Sequence, residues 1–171
     1  KHLLFISILC ISVFQACTPP KKSEEKIVSV SIEPQKYLLD KLVGNKYTVN
    51  TAIPIGSNPE TYDPSPAQMV NIGKSEIYFK IGNLGFENTW LKNISINNPQ
   101  MSIIDCSLGI QTIHDDHGHA NGDPHIWSST QTALTVATNM YNALIQHDTK
   151  HKDYYLDNFK ALEKSIQQTD S

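Results

Sequence analysis

Residues 27–53 have the sequence IVSVSIEPQKYLLDKLVGNKYTVNTAI, and this stretch decides the fold. Residues 27–32 alternate between β-branched apolar and small polar side chains, which predicts a strand. Pro34 suits the first turn of a helix, and Gly44 is typical of a helix end. Residues 47–53 predict a second strand. A strand, a helix and a strand in so short a stretch predict a βαβ unit and a parallel sheet. The helix between them has a predicted apolar face of Tyr37, Leu38, Leu39 and Leu42.

Two further strands are predicted, at residues 76–81 and 101–105. A short helix at 67–72, capped by Ser65, precedes the third strand. Another short helix, between the third and fourth strands, contains Phe86, Trp90 and Leu91. This alternation predicts an α/β fold with a four-stranded parallel sheet flanked by helices.

Two long helices are predicted after the sheet. The first is capped by Ser128 or Ser129 and runs to about Gln146. The last begins near Lys152 and is still helical at Ser171, so we expect the chain to continue. Between them, His147 and His151 are predicted to be solvated. Apolar residues at helical spacing predict core-facing stripes on both helices: Ala133, Val136, Ala137, Met140 and Leu144 on the first, and Tyr155, Phe159, Leu162 and Ile166 on the last.

The amino-terminal end carries an export signal. A short apolar run at residues 3–14 is typical of a signal-peptide core. Phe14-Gln15-Ala16-Cys17 loosely resembles a lipobox, so we predict that residues 1–17 are a lipoprotein signal peptide and that Cys17 is lipidated. Ordinary secretion with cleavage nearby is the alternative. Residues 18–26 are polar and contain two prolines, which predicts a tether.

Composition limits the class of protein. The chain has 171 residues and a formal net charge of −3, and it has no basic patch that would point to nucleic acid. Cys10 and Cys17 lie in the predicted signal peptide, which leaves Cys106 alone, so no disulfide framework is predicted. Cys106 is expected to be a small buried residue rather than a ligand. We expect one folded lobe at 27–150, with residues 151–171 starting a further helix.

A second stretch, QTIHDDHGHANGDPHIW at residues 111–127, concentrates metal-binding side chains. Imidazole and carboxylate are ligands that borderline divalent metals take from proteins. Pro124 restricts the backbone around Asp123, so His125 is predicted to be held rigidly. The alternative is a solvated loop with His125 packed or capping a helix. The polar segment before Asp123 is predicted to be a mobile loop that collects metal through His114, Asp115, Asp116, His117 and His119.

Polar residues also follow the second strand. Residues 54–66 are rich in turn formers and leave its carboxyl end, where open α/β sheets bind ligands. Glu60 and Asp63 are candidate ligands there. A turn or cap role is the alternative, which we prefer for Asp63. Because the fourth strand leads to His125, two strand ends converge on one edge, and this convergence favours a metal site of His125 and Glu60.

Three motifs, in this order, resemble those of the solute-binding lipoproteins of zinc/manganese ABC importers, the family that includes the ZnuA and TroA types. The motifs are Ser31-Ile32-Glu33-Pro34, the loop at residues 54–64, and Asp123-Pro124-His125-Ile126-Trp127. The His-rich stretch before Asp123 resembles the loop of zinc-type members. Residues 154–159 resemble the start of the long helix that joins the family's two lobes. The resemblance covers essentially everything after the tether.

The resemblance implies the amino-terminal lobe of a two-lobed protein that binds metal in the cleft between its lobes. It also implies that the lobe ends in the interlobe helix. The family's usual ligands are a His in the Pro-Gly loop, the His of the Asp-Pro-His motif and two groups from the second lobe. The second of these matches His125, whereas the first is replaced by Glu60. We expect Zn²⁺ as the metal, with Mn²⁺ or Fe²⁺ as alternatives because a carboxylate binds all three. The second-lobe ligands lie beyond Ser171.

The implied function is capture of a divalent metal outside the cytoplasmic membrane and delivery to an ABC permease, with no enzymatic step. We expect a monomer in the periplasm or at the cell surface, anchored through Cys17 to a bacterial membrane. Two other functions are weighed. A surface adhesion or structural lipoprotein would bind metal only incidentally. A secreted metallohydrolase is less favoured, because His114-x-x-His117-x-His119 matches no hydrolase motif and His-Glu-x-x-His is absent.

Overall fold

Four parallel strands form one sheet in the computed structural model, which describes residues 25–111 and 126–169. In the first two strands, the register pairs Val28 with Val49. Each strand is shorter than predicted, although Ala52 N–H still donates to the Val30 carbonyl beyond the end of the second strand. The predicted four-stranded parallel sheet is confirmed. Its strands are β1 (Ile27–Val30), β2 (Thr48–Thr51), β3 (Ile77–Lys80) and β4 (Ser102–Asp105), in the spatial order β2-β1-β3-β4.

The helices connect and follow these strands. Ser65 caps the second helix, where its Oγ accepts from Gln68 N–H, and Ser129 caps the fourth, so both predicted caps are confirmed. The third helix is 13 residues long rather than short. No helix in the described ranges is both long and apolar enough to cross a membrane. The helices are α1 (Glu33–Val43), α2 (Pro66–Ile72), α3 (Gly85–Asn97), α4 (Thr130–His147) and α5 (Lys152–Thr169), with 3₁₀ turns at Ile126–Ser128 and Thr149–His151.

The strand order fixes where the helices pack. The chain moves from β1 to β2 in one direction and then through β3 to β4 in the other. Right-handed crossovers therefore place α1 on one face of the sheet and α2 and α3 on the opposite face. The α4 and α5 helices pack against α1. The reversal creates a switch point between the carboxyl ends of β1 and β3, where open α/β sheets bind ligands.

The apolar core lies between the sheet and the helices. Tyr78 and Phe79 of β3 are fully buried. On α5, Tyr155 and Leu162 are buried, as their spacing predicts. Cys106 is fully buried, as predicted, and this burial raises the pKa of its thiol. The predicted stripe of α4 is confirmed for Val136, Ala137, Met140 and Leu144, whereas Ala133 is half-buried.

The α1 helix differs from its prediction at two side chains. Tyr37 was expected on the apolar face but is 56 % exposed. The buried stripe contains Gln35 instead, and a turn of about 100° per residue puts Tyr37 on the far side of the helix from it. Gln35 is polar but satisfied, because its Oε1 accepts from Ser31 N–H and its Nε2 donates to the Phe79 carbonyl.

Ionisable side chains gather at the amino ends of the strands. We call this group the amino-end cluster, and it comprises Tyr47, Glu76, His147, Asp148, His151 and Tyr155. His147 Nε2 lies 2.9 Å from Glu76 Oε2, and His151 Nδ1 lies 2.9 Å from Asp148 Oδ2. His147 is exposed, as predicted, whereas His151 is half-buried, so the prediction that both histidines are solvated is wrong for His151. The end of α4 lies beside the amino end of β3, which brings His147 to Glu76, whereas His151 and Asp148 are neighbours within one turn.

Candidate metal site

Only one of the two predicted metal ligands, Glu60, lies in the described part of the chain. Within residues 25–111 and 126–169, no three His, Cys, Asp or Glu side chains are arranged to hold a metal ion. The described part of the site therefore consists of Glu60 and the elements that hold it. The other predicted site residues lie outside the described residues: His125, the loop residues His114, Asp115, Asp116, His117 and His119, and the lipidation site Cys17.

The three motifs that carry the family resemblance contribute to one groove at the carboxyl edge of the sheet. The groove has a volume of about 230 Å³. Its walls are Ile32, Glu33 and Pro34 from the first motif, residues between Ile53 and Pro59 from the second, and Trp127 from the third. Trp127 follows His125 by two positions in the sequence. The loop after β2 and the end of the Asp-Pro-His motif thus meet at the edge where the sequence predicts ligands.

Glu60 directly follows Pro59, the last loop residue that lines the groove. Its side chain turns towards α3. Its Oε2 accepts a hydrogen bond of 3.1 Å from Gly85 N–H. The preceding carbonyl, of Pro59, accepts one of 3.1 Å from Phe86 N–H. Leu84, the N-cap residue of α3, makes no side-chain capping bond. The loop therefore accepts hydrogen bonds from N–H groups in the first turn of α3, which have no partner within the helix. The Glu60 carboxylate also lies at the positive end of the helix dipole.

The rest of the loop is also attached to α3. Asp63 Oδ1 accepts from Trp90 Nε1 at 3.2 Å, a partner that neither a turn nor a cap role would include. The rings of Tyr62 and Phe86 lie 6.1 Å apart. Within the loop, Asn58 Oδ1 accepts from the Glu60 N–H at 2.9 Å. Glu60 is exposed, but its position is fixed by contacts on both sides.

A buried carboxylate occupies the switch point of the sheet. Glu87 is 4 % exposed, and it accepts hydrogen bonds from Ile81 N–H at 2.7 Å and Gly82 N–H at 2.8 Å. The Ser31 hydroxyl also donates to Glu87, and Ser31 Oγ lies 2.8 Å from the Tyr78 hydroxyl. Glu87 therefore joins the first turn of α3 to the carboxyl ends of both β1 and β3.

Burial dominates the electrostatics of this network. It raises the pKa of Glu87, and the three hydrogen bonds and the charge of Lys80 oppose that rise. Burial also raises the pKa of Tyr78, and the neighbouring Glu87 raises it further. Hydrogen bonds with main-chain N–H groups and with Ser31, rather than a paired cation, hold Glu87 and Tyr78 in place.

Glu87 is a functional candidate that was not predicted from the sequence. A signal was present, because Glu87, Leu91 and Ile94 share one side of α3 at helical spacing and all three are buried. A carboxylate on an otherwise apolar stripe indicates a buried acid that needs partners. The position of those partners could be learned only from the folded structure, because Ser31 lies on a distant strand end.

The chemistry available at Glu60 follows from its geometry. A carboxylate has two oxygens, and one of these accepts the bond from Gly85. Metal-binding carboxylates are commonly oriented by such outer hydrogen bonds. A divalent cation bound at Glu60 would therefore be bound through the second oxygen.

Comparison with known families assigns the chain. The family model ZnuA, described as "Zinc-uptake complex component A periplasmic", matches residues 28–171. The chain belongs to the ZnuA family. The resemblance inferred from the three motifs is therefore confirmed.

The curated relatives of this ZnuA-family chain are substrate-binding lipoproteins. SloC of Streptococcus mutans, a metal ABC transporter substrate-binding lipoprotein, is 26 % identical over an alignment of 178 positions, which covers 98 % of this chain and 58 % of SloC. PsaA of Streptococcus pneumoniae, a manganese ABC transporter substrate-binding lipoprotein, is 25 % identical over 162 residues, covering 90 % and 52 %. The chain thus spans just over half the length of these relatives. Both relatives are named as substrate-binding lipoproteins rather than as enzymes, so neither name supports the metallohydrolase alternative.

Solved structures agree with the family assignment. The crystal structure of ZnuA has a TM-score of 0.78 and 32 % sequence identity, covering 85 % of this chain and 56 % of that one. A manganese-bound periplasmic metal-binding protein from Candidatus Liberibacter asiaticus has the same fold, with a TM-score of 0.77, 22 % identity and coverage of 84 % and 54 %. The predicted α/β lobe with its four-stranded parallel sheet is confirmed.

Proposed function

We propose that this chain is the amino-terminal lobe of an extracytoplasmic solute-binding lipoprotein that captures a divalent metal for an ABC permease. The observation that supports this most is the Glu60 carboxylate, which the first turn of α3 fixes at the carboxyl edge of the sheet. It lies in the loop where the family usually has a histidine ligand. The metal would be bound in a cleft between this lobe and a second one, which supplies the remaining ligands.

Each predicted residue has its own role in this proposal. His125 and Glu60 bind the metal directly. His114, Asp115, Asp116, His117 and His119 form a loop that collects metal with low affinity. The α5 helix continues into the segment that joins the lobes. The protein is a monomer anchored in a bacterial membrane through a lipid on Cys17, and it works in the periplasm or at the cell surface.

Zinc is the metal that we propose first. His125 is a nitrogen donor of the kind that zinc prefers, and the matched family is described by zinc uptake. Glu60 adds an oxygen donor in place of nitrogen, which also suits manganese or iron. Manganese is the metal in the name of PsaA, so it is the main alternative.

The test is a competitive titration of the mature full-length protein with Zn²⁺ and Mn²⁺ against a chromophoric chelator. We expect tight zinc binding, and we expect His125→Ala to weaken it by more than about 100-fold, because loss of an outer-shell partner alone costs 10- to 100-fold. His117→Ala is the matched control from the loop and should have a far smaller effect. Equal effects of the two substitutions would refute the assignment of His125.

The same titration tests the alternative function. If the wild-type protein binds neither metal, the importer proposal fails, and an adhesion or structural lipoprotein takes its place. If manganese binds more tightly than zinc, the importer proposal stands and the identity of its cargo changes.

A further inference from the structure

The geometry points to the first turn of α3 as the device that sets the position of Glu60 for metal binding, with Gly85 and Glu87 as its positioning residues. This inference rests on the proposed function, because it assigns a role to residues that would not contact the metal themselves. It is carried by two sets of contacts that meet in one helical turn. One set holds the turn to the sheet, and the other holds Glu60 to the turn.

The first set of contacts fixes the helix. Glu87 Oε1 accepts from Ile81 N–H and its Oε2 accepts from Gly82 N–H, at 2.7 and 2.8 Å. Ser31 donates to Oε1 as well. Two of these donors are main-chain groups just after β3, and the third follows β1. The amino end of α3 therefore cannot shift relative to the switch point without leaving buried polar groups unpaired, which is costly.

The second set of contacts fixes the loop. Gly85 N–H donates to Glu60 Oε2, and Phe86 N–H donates to the Pro59 carbonyl. The backbones are so close that a Cβ on residue 85 would collide with the Glu60 carbonyl oxygen and lie 2.9 Å from the carbonyl carbon. Because the colliding atoms are main chain, no side-chain rotation could relieve the overlap. Glycine is required at position 85 by this approach, and any larger residue would push the loop away.

The two sets together make Glu60 a preorganised ligand. Its side chain has several rotatable bonds and is exposed, so without a partner it would sample many positions. The hydrogen bond from Gly85 restricts one oxygen and thereby directs the other. A ligand held in this way loses less conformational entropy when the metal binds, and its affinity is correspondingly higher.

The inference is tested with Gly85→Ala in the mature full-length protein, titrated with Zn²⁺ and Mn²⁺ against a chromophoric chelator. We expect the affinity to fall by about 10- to 100-fold, the range found when an outer-shell partner of a ligand is lost. The visible absorption of the Co²⁺-loaded protein should also change, because it reports the geometry of the ligands. Gly73→Ala is the matched control: the atoms nearest to a Cβ there belong to the side-chain amide of Asn98, which can rotate away as a backbone cannot, and the backbone φ of −64° suits alanine.

A double-mutant cycle separates positioning from general distortion of the lobe. If Gly85 acts through Glu60, then Gly85→Ala should cost little further affinity in a Glu60→Ala background. Glu87→Gln is the second variant, since it weakens the attachment of α3 without adding volume, and it should show the same loss of effect when Glu60 is absent. This variant keeps the test decisive if Gly85→Ala does not fold.

The outcomes distinguish the inference from the function on which it rests. A wild-type protein that binds no metal would refute the proposed function. A wild-type protein that binds metal, together with a Gly85→Ala variant of equal affinity, would refute the inference alone. An equal loss with and without Glu60 would also refute it, because the effect would then not pass through that carboxylate.

Discussion

The two ends of the sheet hold their carboxylates in different ways. At the amino ends, Glu76 and Asp148 are paired with imidazole and phenol groups of other side chains. At the carboxyl ends, the hydrogen bonds that the structure gives to Glu60 and Glu87 come mainly from main-chain N–H groups, with Ser31 as the exception. Both regions are polar and both join helices to strands, so they differ in the kind of donor rather than in polarity.

This difference separates stabilisation from preorganisation. Side-chain partners can move together with a carboxylate, and mutual pairing satisfies both groups. Main-chain donors are fixed by the helix and strand to which they belong, so they impose a position on the carboxylate. We therefore expect changes at the carboxyl ends to affect metal binding as well as stability, and changes in the amino-end cluster to affect stability alone.

The largest effect is expected from Glu87→Ala. This substitution removes the acceptor of Ile81 N–H and Gly82 N–H, and unsatisfied buried donors cost about 1–3 kcal/mol each. We expect the free energy of unfolding to fall by about 3 kcal/mol or more in urea denaturation. Glu87→Gln keeps part of the acceptor capacity and should cost less. An alanine variant as stable as the wild type would show that main-chain donors do not anchor this end of α3.

An intermediate effect is expected from Asp148→Asn in the amino-end cluster. Burial favours a higher pKa for Asp148, but hydrogen bonds from His151 and Tyr155 and the nearby Lys26 lower it overall. A lowered pKa in the folded state gives stability that is present above the unfolded-state pKa and is lost as the pH falls through the folded-state value. The variant should therefore be less stable than the wild type at pH 7, by about 1–2 kcal/mol.

The pH dependence is the decisive part of this prediction. The difference in unfolding free energy between the two proteins should shrink as the pH falls from about 5 through 4, because the wild-type carboxyl becomes protonated in the unfolded chain around its pKa of about 3.9 while the folded chain still keeps it ionised. Zinc affinity at pH 7 should stay unchanged. A loss of zinc affinity would contradict the separation of the two ends.

The smallest effect is expected from His147→Gln. His147 and Glu76 are each about one third exposed, and ion pairs at such sites contribute about 0–1 kcal/mol. The measured change in unfolding free energy should be below about 1 kcal/mol and should diminish further at high salt. A larger change that salt does not reduce would mean that this pair is coupled to the rest of the amino-end cluster.

The strands and helices could be predicted because their sequence signals are local. The alternation in residues 27–32, the glycine at position 44 and the caps Ser65 and Ser129 each act within a few residues. The prediction for Tyr37 is wrong because it assigned the buried face of α1 to apolar residues alone. The buried position belongs to the polar Gln35, whose burial depends on a hydrogen bond to the Phe79 carbonyl of another strand.

The candidate site was predicted only in part for the same reason. The motif around Glu60 predicted a loop at the carboxyl edge of the sheet, and the loop lies there. The partner of Glu60 is Gly85, which lies in another helix, and no periodicity reports a main-chain approach of that kind. The anchoring role of Glu87 likewise depends on strand ends that come together only in the folded lobe.

The position of β1 between β2 and β3 has a consequence for the order of folding. The β1–β2 pair joins residues such as Ile27 and Thr48, whereas the β1–β3 pair joins Val28 and Ile77, which are much farther apart along the chain. Contacts between distant segments carry a larger loop-closure cost and tend to form later. Glu87 and, through α3, Glu60 depend on the β1–β3 pair. The chain should therefore complete the carboxyl edge that carries Glu60 at the end of folding.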